Sequence, residues 1–167
     1  MEEIVKYLID HIQVGSKEVS LIILSTLPIT ELRGAIPVGI LLYEVSPLKT
    51  YFLCCLGNMI PIFPLLIFFG KIEEWFAQHT FTNKFLQWYL ARVKKRTKVI
   101  ERYEMWGLAL FVAIPLPVTG AWTGSVAAFI MGIRWRKAFT SIACGIMLAG
   151  IIVTLLTVGG YTFYSFL

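Results

Sequence analysis

Charge is scarce in this sequence. Asp, Glu, Lys and Arg make up 15% of its 167 residues, where a soluble domain carries about a quarter. That scarcity argues against a soluble domain, because 57% of the chain is apolar and the mean hydropathy is +0.75. Cysteine is scarce too. Cys54, Cys55 and Cys144 lie inside apolar runs without Cys/His metal spacing, so they read as buried, inert thiols rather than a zinc site. The two histidines, His11 and His79, fall in surface segments. With no Ser–His arrangement and no paired-Asp motif, the chain is expected to be no enzyme, to hold no metal and to need no cofactor. The N-terminus is acidic and lacks the basic region of a secretory signal peptide.

The charges that exist are segregated between apolar runs, the pattern of membrane segments joined by aqueous connections. Residues 1–14 place Ile4, Val5, Leu8, Ile9 and Ile12 on one helical face. The segment is too short and charged to span and reads as a surface helix. Gly15 and Ser16 mark a stop and a new cap. Residues 19–43 are apolar but broken by Pro28–Pro37, which holds two prolines, Gly34, Glu31 and Arg33. Each arm is about ten residues, or roughly 15 Å of helix, half a bilayer. A re-entrant hairpin fits better than a span. Ser46-Pro47 is a helix start, and 48–70 is a full span carrying Gly57, Asn58, Pro61 and Pro64. Residues 71–104 are hydrophilic. An apolar stripe (Phe85, Leu86, Tyr89, Leu90, Val93, Ile100) opposes Lys94, Lys95, Arg96, Lys98 and Arg102, as on a basic interfacial helix. Residues 107–133 are apolar and broken by Pro115–Gly124, and 136–160 is a second full span. Trp75, Trp88, Trp106 and Trp135 flank these segments as interface anchors.

The halves match in order: broken hairpin, polar turn, full span. Pro28-Ile29-Thr30 corresponds to Pro117-Val118-Thr119, Lys49 to Lys137, and Gly57 to Gly145. Charge then orients them. Residues 71–104 carry eight basic and four acidic residues, and the 134–137 turn carries Arg134, Arg136 and Lys137. If 107–133 is re-entrant, both basic segments lie on one side, which the positive-inside rule makes cytoplasmic. The acidic first segment and the neutral 44–49 turn then lie outside, and the halves are inverted. The fold class is therefore all-α integral membrane. It consists of two inverted repeats (19–70 and 105–167), each a re-entrant helical hairpin plus one transmembrane helix. Amphipathic helices at 1–18 and 71–104 complete a single membrane domain over 1–167, in the plasma or inner membrane.

Glu31 and Arg33 are the ionisable residues at a hairpin tip. A charge inside a membrane is costly and marks a functional site unless it is neutralised by a structural contact. Glu31 suits a proton carrier, and Arg33 suits a phosphate or carboxylate. Thr30, Thr119 and Thr123 add hydroxyls, with back-bonding to their own helices as the structural alternative. Asn58 on the adjacent span completes a candidate polar cluster. Pro28, Gly34, Pro37, Pro115, Pro117, Gly120 and Gly124 would break the helices at the tips. Gly120-x-x-x-Gly124 also reads as a close-packing contact. Trp122 either lines a path or fills space. The partners expected are membrane lipids, a polar or anionic lipid or small-molecule substrate, and a second copy of the chain in a homodimer. Nucleic acid is not expected, because the basic residues flank apolar spans.

Leu27–Pro37, then Leu56-Gly57-Asn58, then Ile114–Gly124 resemble the small multidrug export protein family over nearly the whole chain. That family's layout is similar to the DedA (VTT-domain) membrane proteins. This likeness implies two opposed re-entrant hairpins, translocation of polyprenyl phosphate carriers and proton dependence. Where those proteins carry arginines around the second proline motif, this chain has none, and Arg33 is the candidate at a tip. The rival classes are drug–proton antiport, which needs four true spans, and a non-transporting membrane scaffold.

Overall fold

A computed structural model describes residues 16–78, 104–115 and 120–165. The segment 1–14, the linker residues 79–103, and the tip residues Pro117 and Thr119 lie outside the described residues. Every element among those described is helical: α1 (Lys17–Thr26), α2 (Glu31–Pro37, continued by a π-turn over Val38–Leu42), α3 (Pro47–Gln78), α4 (Glu104–Ala113), α5 (Ala121–Ile130) and α6 (Trp135–Ser165).

Local chemistry sets the boundaries. The Ser16 hydroxyl accepts from the Val19 N–H at the start of α1. Leu27 is held extended (ψ 137°) by the proline that follows it, which stops the helix. The break is shorter than the sequence implied, because only Leu27–Thr30 leave helical structure and Pro37 sits inside α2. Pro37 costs the helix one N–H and crowds the preceding turn. The chain absorbs this by widening its register, so that Tyr43 N–H donates to Val38 O, five residues back, at 3.0 Å. Proline at the first position opens α3 as the Ser46-Pro47 pair implied, and the helix continues through Pro61 and Pro64.

Two helices are long and apolar enough to cross a membrane, Pro47–Phe69 and Trp135–Thr162. Only a third of each is buried, unlike the core helix of a soluble protein. Large apolar side chains such as Phe52, Leu56, Ile60, Leu155 and Leu156 face outward, which suits lipid and not water. Leu21, Leu24, Leu32, Ile36, Ile62, Val112, Ile142 and Ile146 form one buried core where the helices meet.

The two long helices run antiparallel. Tyr51 OH donates to Met147 O (3.3 Å), whereas Phe63, three turns further along α3, packs edge-to-face on Phe139 and Trp135 near the start of α6. The 44–49 and 134–137 turns therefore lie at opposite ends. Both ends of the first helical hairpin lie at the Pro47 end: Lys17 Nζ donates to Tyr43 O and Lys49 Nζ to Glu18 Oε1, each at 2.7 Å. The second hairpin ends at the other pole, where Phe129 stacks on Phe69 at 5.0 Å.

Elements recur at a constant spacing of 88 residues. Long helices begin at 47 and 135, and the helices before them end at 42 and 130. The turn residues with positive φ are Glu44 (56°) and Gly132 (68°). Gly57 and Gly145 play the same part in each half. A Cβ on Gly57 would lie 2.6 Å from the carbonyl oxygen of Ile22 in α1, and one on Gly145 would lie 2.6 Å from that of Ala109 in α4. Each long helix thus lies backbone-to-backbone against the first arm of its own hairpin.

Candidate functional site

The two hairpin tips meet, and charge joins them. Glu31 is 7% exposed and begins α2 with φ 45°, a left-handed conformation that costs a branched-off side chain about 1–2 kcal/mol. Its Oε1 accepts from the backbone N–H of Trp122 at 3.4 Å, in the first turn of α5. The carboxylate thus lies at the positive end of that helix's dipole. Arg33 reaches the opposite pole. Its Nη2 donates to the carbonyls of Val112 (3.3 Å) and Ile114 (3.1 Å), where α4 runs out. The acidic and basic members of one tip therefore complement the N-terminal and C-terminal ends of the two helices flanking the break in the other. Hydrogen bonds to ionised groups contribute about 1.5–3 kcal/mol each, which offsets part of the cost of placing these charges among apolar helices.

Contacts also run the other way. The indole Nε1 of Trp122 donates to Thr26 O (3.2 Å), at the last carbonyl of α1. Trp122 therefore meets Glu31 with its backbone and α1 with its side chain. Gly120 leaves room for the carboxylate: a Cβ there would stand 2.6 Å from Glu31 Cδ. Gly124 lets α5 close on α4, where a Cβ would meet Val112 Cγ2 at 2.6 Å.

The described hydroxyls, those of Thr30 and Thr123, are committed locally. Thr30 Oγ1 donates to Leu24 O and closes the end of α1. Thr123 Oγ1 accepts from Gly120 N–H (2.9 Å) and donates to Gly120 O (3.2 Å), capping α5. Gly34 follows as the first turn of α2, its N–H on Thr30 O at 2.8 Å. Pro28 lies in the turn and Pro115 at the end of the described part of the second break. Asn58 is 1% exposed, and its Oδ1 has no hydrogen-bond partner among the described residues. It follows Gly57 on α3, and no hydrogen bond among the described residues links it to Glu31 or Arg33.

The sequence singles out Glu31 and Arg33, leaves Trp122 between lining a path and filling space, and counts Glu44 only as a charge of the 44–49 turn, although Gly132 stands 88 residues beyond it.

Residues 31–152 match the family described as "Putative small multi-drug export protein". The match begins at Glu31, so it includes the Glu31–Arg33 pair, the second break and Asn58, while Leu27–Thr30 lie just before it. No curated protein and no solved structure matches the chain.

Proposed function

Because this chain belongs to the small multi-drug export protein family, we propose that it is a membrane transporter of the inverted-repeat kind. Two re-entrant hairpins meet inside the bilayer, and the junction of their tips is the gate. The observation that carries this reading is the double contact of one tip with the other, Glu31 on the start of α5 and Arg33 on the end of α4. Broken helices whose ends face each other near mid-membrane form the substrate sites of transporters of this architecture. The antiparallel long helices and the return of the first hairpin to the Pro47 end support the inverted arrangement.

The substrate is a polar or anionic head group, and a polyprenyl phosphate carrier has the right chemistry. In the resting junction Glu31 is the anion at the α5 N-terminus, and the guanidinium of Arg33 rests on backbone carbonyls. An incoming phosphate takes both places. Glu31 leaves the helix end, and a proton neutralises it in the apolar interior, which couples transport to the proton gradient. The tail of a lipid substrate stays in the bilayer. A second reading, drug–proton antiport, has the family description in its favour. There a lipophilic cation pairs with the Glu31 carboxylate and a proton replaces it.

Liposomes containing the purified chain test both. Transbilayer movement of a labelled short-chain polyprenyl phosphate is followed with and without a pH gradient, and ethidium flux is measured in parallel. The expected result is gradient-dependent lipid movement that Glu31→Gln and Arg33→Ala each abolish. Ethidium flux lost in Glu31→Gln but kept in Arg33→Ala selects the second reading. Folded wild type that moves neither probe overturns the transporter assignment and favours a scaffold.

A further inference from the structure

Away from the tips, at the end where α1 begins and α6 finishes, a half-open cavity of about 300 Å³ lies between the 43–46 turn and Tyr161. That is the lower end of the volume range of small-molecule sites. Ile40, Leu41 and Val45 give it an apolar wall, and Glu44, Ser46 and Tyr161 supply the polar groups.

Glu44 does not belong there on backbone grounds. It holds φ 56° at the end of the π-turn, where Val45 N–H closes onto Gly39 O at 2.9 Å. Glycine is the usual residue in such a position. The second half of the chain has glycine there, with Gly132 at φ 68° and Ile133 N–H closing onto Ala128 O at 2.9 Å. A glutamate retained at a left-handed position is strained, and strain of this kind gathers at ligand sites.

Its carboxylate has no described ion pair or hydrogen bond. The nearby lysines are engaged elsewhere, Lys17 on Tyr43 O and Lys49 on Glu18. Tyr161 is 63% exposed and lines the same cavity. A carboxylate, an aromatic ring and an aliphatic wall together form the chemistry that holds an organic ammonium, by charge on one side and by the ring face on the other.

We propose that the cavity between the 43–46 turn and Tyr161 binds an organic ammonium cation, held by the Glu44 carboxylate and the Tyr161 ring. The site is separate from the tip junction and stands whichever substrate the junction takes. Its ligand is either a soluble ammonium compound or the choline head group of a lipid, since the cavity lies where α3 begins its span.

Benzyltrimethylammonium is the probe, titrated calorimetrically into the full chain in maltoside micelles, with phenylmethanesulfonate as the anionic counterpart. Wild type binds the cation saturably and not the sulfonate. Glu44→Gln and Glu44→Gly each weaken binding at least tenfold, Tyr161→Leu weakens it several-fold, and Glu44→Asp retains part of it. Glu44→Gly also raises the thermal midpoint, so its lost binding is not lost folding. In phosphatidylglycerol nanodiscs, competition by added phosphatidylcholine assigns the site to a lipid head group, and its absence assigns a soluble ammonium. Either result upholds the cation site. Unchanged affinity in Glu44→Gln, no saturable binding in wild type, or displacement by the sulfonate overturns it.

Discussion

Replacing three glycines by alanine, one at a time, tests the packing from which the junction hangs. In Gly57→Ala the new methyl meets Ile22 O at 2.6 Å and Ile22 Cα at 3.0 Å. In Gly145→Ala it meets Ala109 O at 2.6 Å and Val112 Cβ at 2.7 Å. These obstacles are backbone, or atoms fixed to it, and cannot rotate away. The long helix has to move off its hairpin arm by about 1 Å, which forfeits up to half of the dispersion energy of the contacts that open. Overpacking of this kind costs about 1–3 kcal/mol, and the better helix propensity of alanine returns about 0.8–1 kcal/mol. The net loss for each variant is about 0–2 kcal/mol, toward the larger value because the obstacles are rigid. Gly159 provides the opposite control. It lies in the same helix as Gly145, and a Cβ there meets nothing within 4 Å, so Gly159→Ala gains about 0.5–1 kcal/mol. Unfolding in mixed micelles by increasing dodecyl sulfate, followed by circular dichroism, should place the midpoints of Gly57→Ala and Gly145→Ala below wild type and Gly159→Ala at or above it. If either packed variant behaves like Gly159→Ala, the backbone-to-backbone contact is wrong.

Glu44→Gly relieves a left-handed glutamate and should stabilise the chain by about 0.5–1 kcal/mol, read as a higher unfolding midpoint. Its mirror, Gly132→Glu, should lower the midpoint by about 1 kcal/mol or more. Asn58→Leu replaces a buried carbonyl that has no partner among the described residues and should stabilise by about 1 kcal/mol or more, read as a higher unfolding midpoint. Glu18 lies outside the spans, and the Lys49 ammonium at the first turn of α3 holds its carboxyl at about 2, below the ordinary 4.5. The folded form therefore gains from this pair above pH 4.5 and loses that gain as pH falls toward 2. Because Glu18 is exposed the effect on stability is small, and the direct readout is NMR titration, in which Lys49→Met should raise Glu18 toward the ordinary range, with the Ser16 hydroxyl and its own backbone N–H still holding it below.

Much of this fold is legible in the sequence because a bilayer allows few solutions. Ser46-Pro47 fixes the start of α3, and apolar length alone identifies α3 and α6 as spans. Prolines locate both breaks, and Glu31 and Arg33 stand out as charges in apolar surroundings. The extent of the breaks was not legible. Pro37 reads as a helix breaker, yet a change of hydrogen-bond register lets the helix pass it. Nor was the way the tips engage. A Glu-x-Arg pair suggests mutual neutralisation, and only the fold reveals that each charge addresses a helix end in the other hairpin. Trp122 was undecidable for the same reason, since its two partners, Glu31 and Thr26, are more than ninety residues away. Glu44 shows the converse. The 88-residue spacing exposes it as an oddity without any structure, but the oddity is visible only once the register is read through the turns and not through the proline motifs.

The most direct test of the architecture is the sidedness of three positions. Single cysteines replace Ser16, Ser46 and Arg134 in a background with Cys54, Cys55 and Cys144 changed to alanine, and a membrane-impermeant maleimide is applied to sealed vesicles of known orientation. Two opposed re-entrant hairpins put Ser16 and Ser46 on one side and Arg134 on the other. Labelling of Ser16 and Ser46 from opposite sides would make the first hairpin a span, and labelling of Ser46 and Arg134 from the same side would end the inverted arrangement.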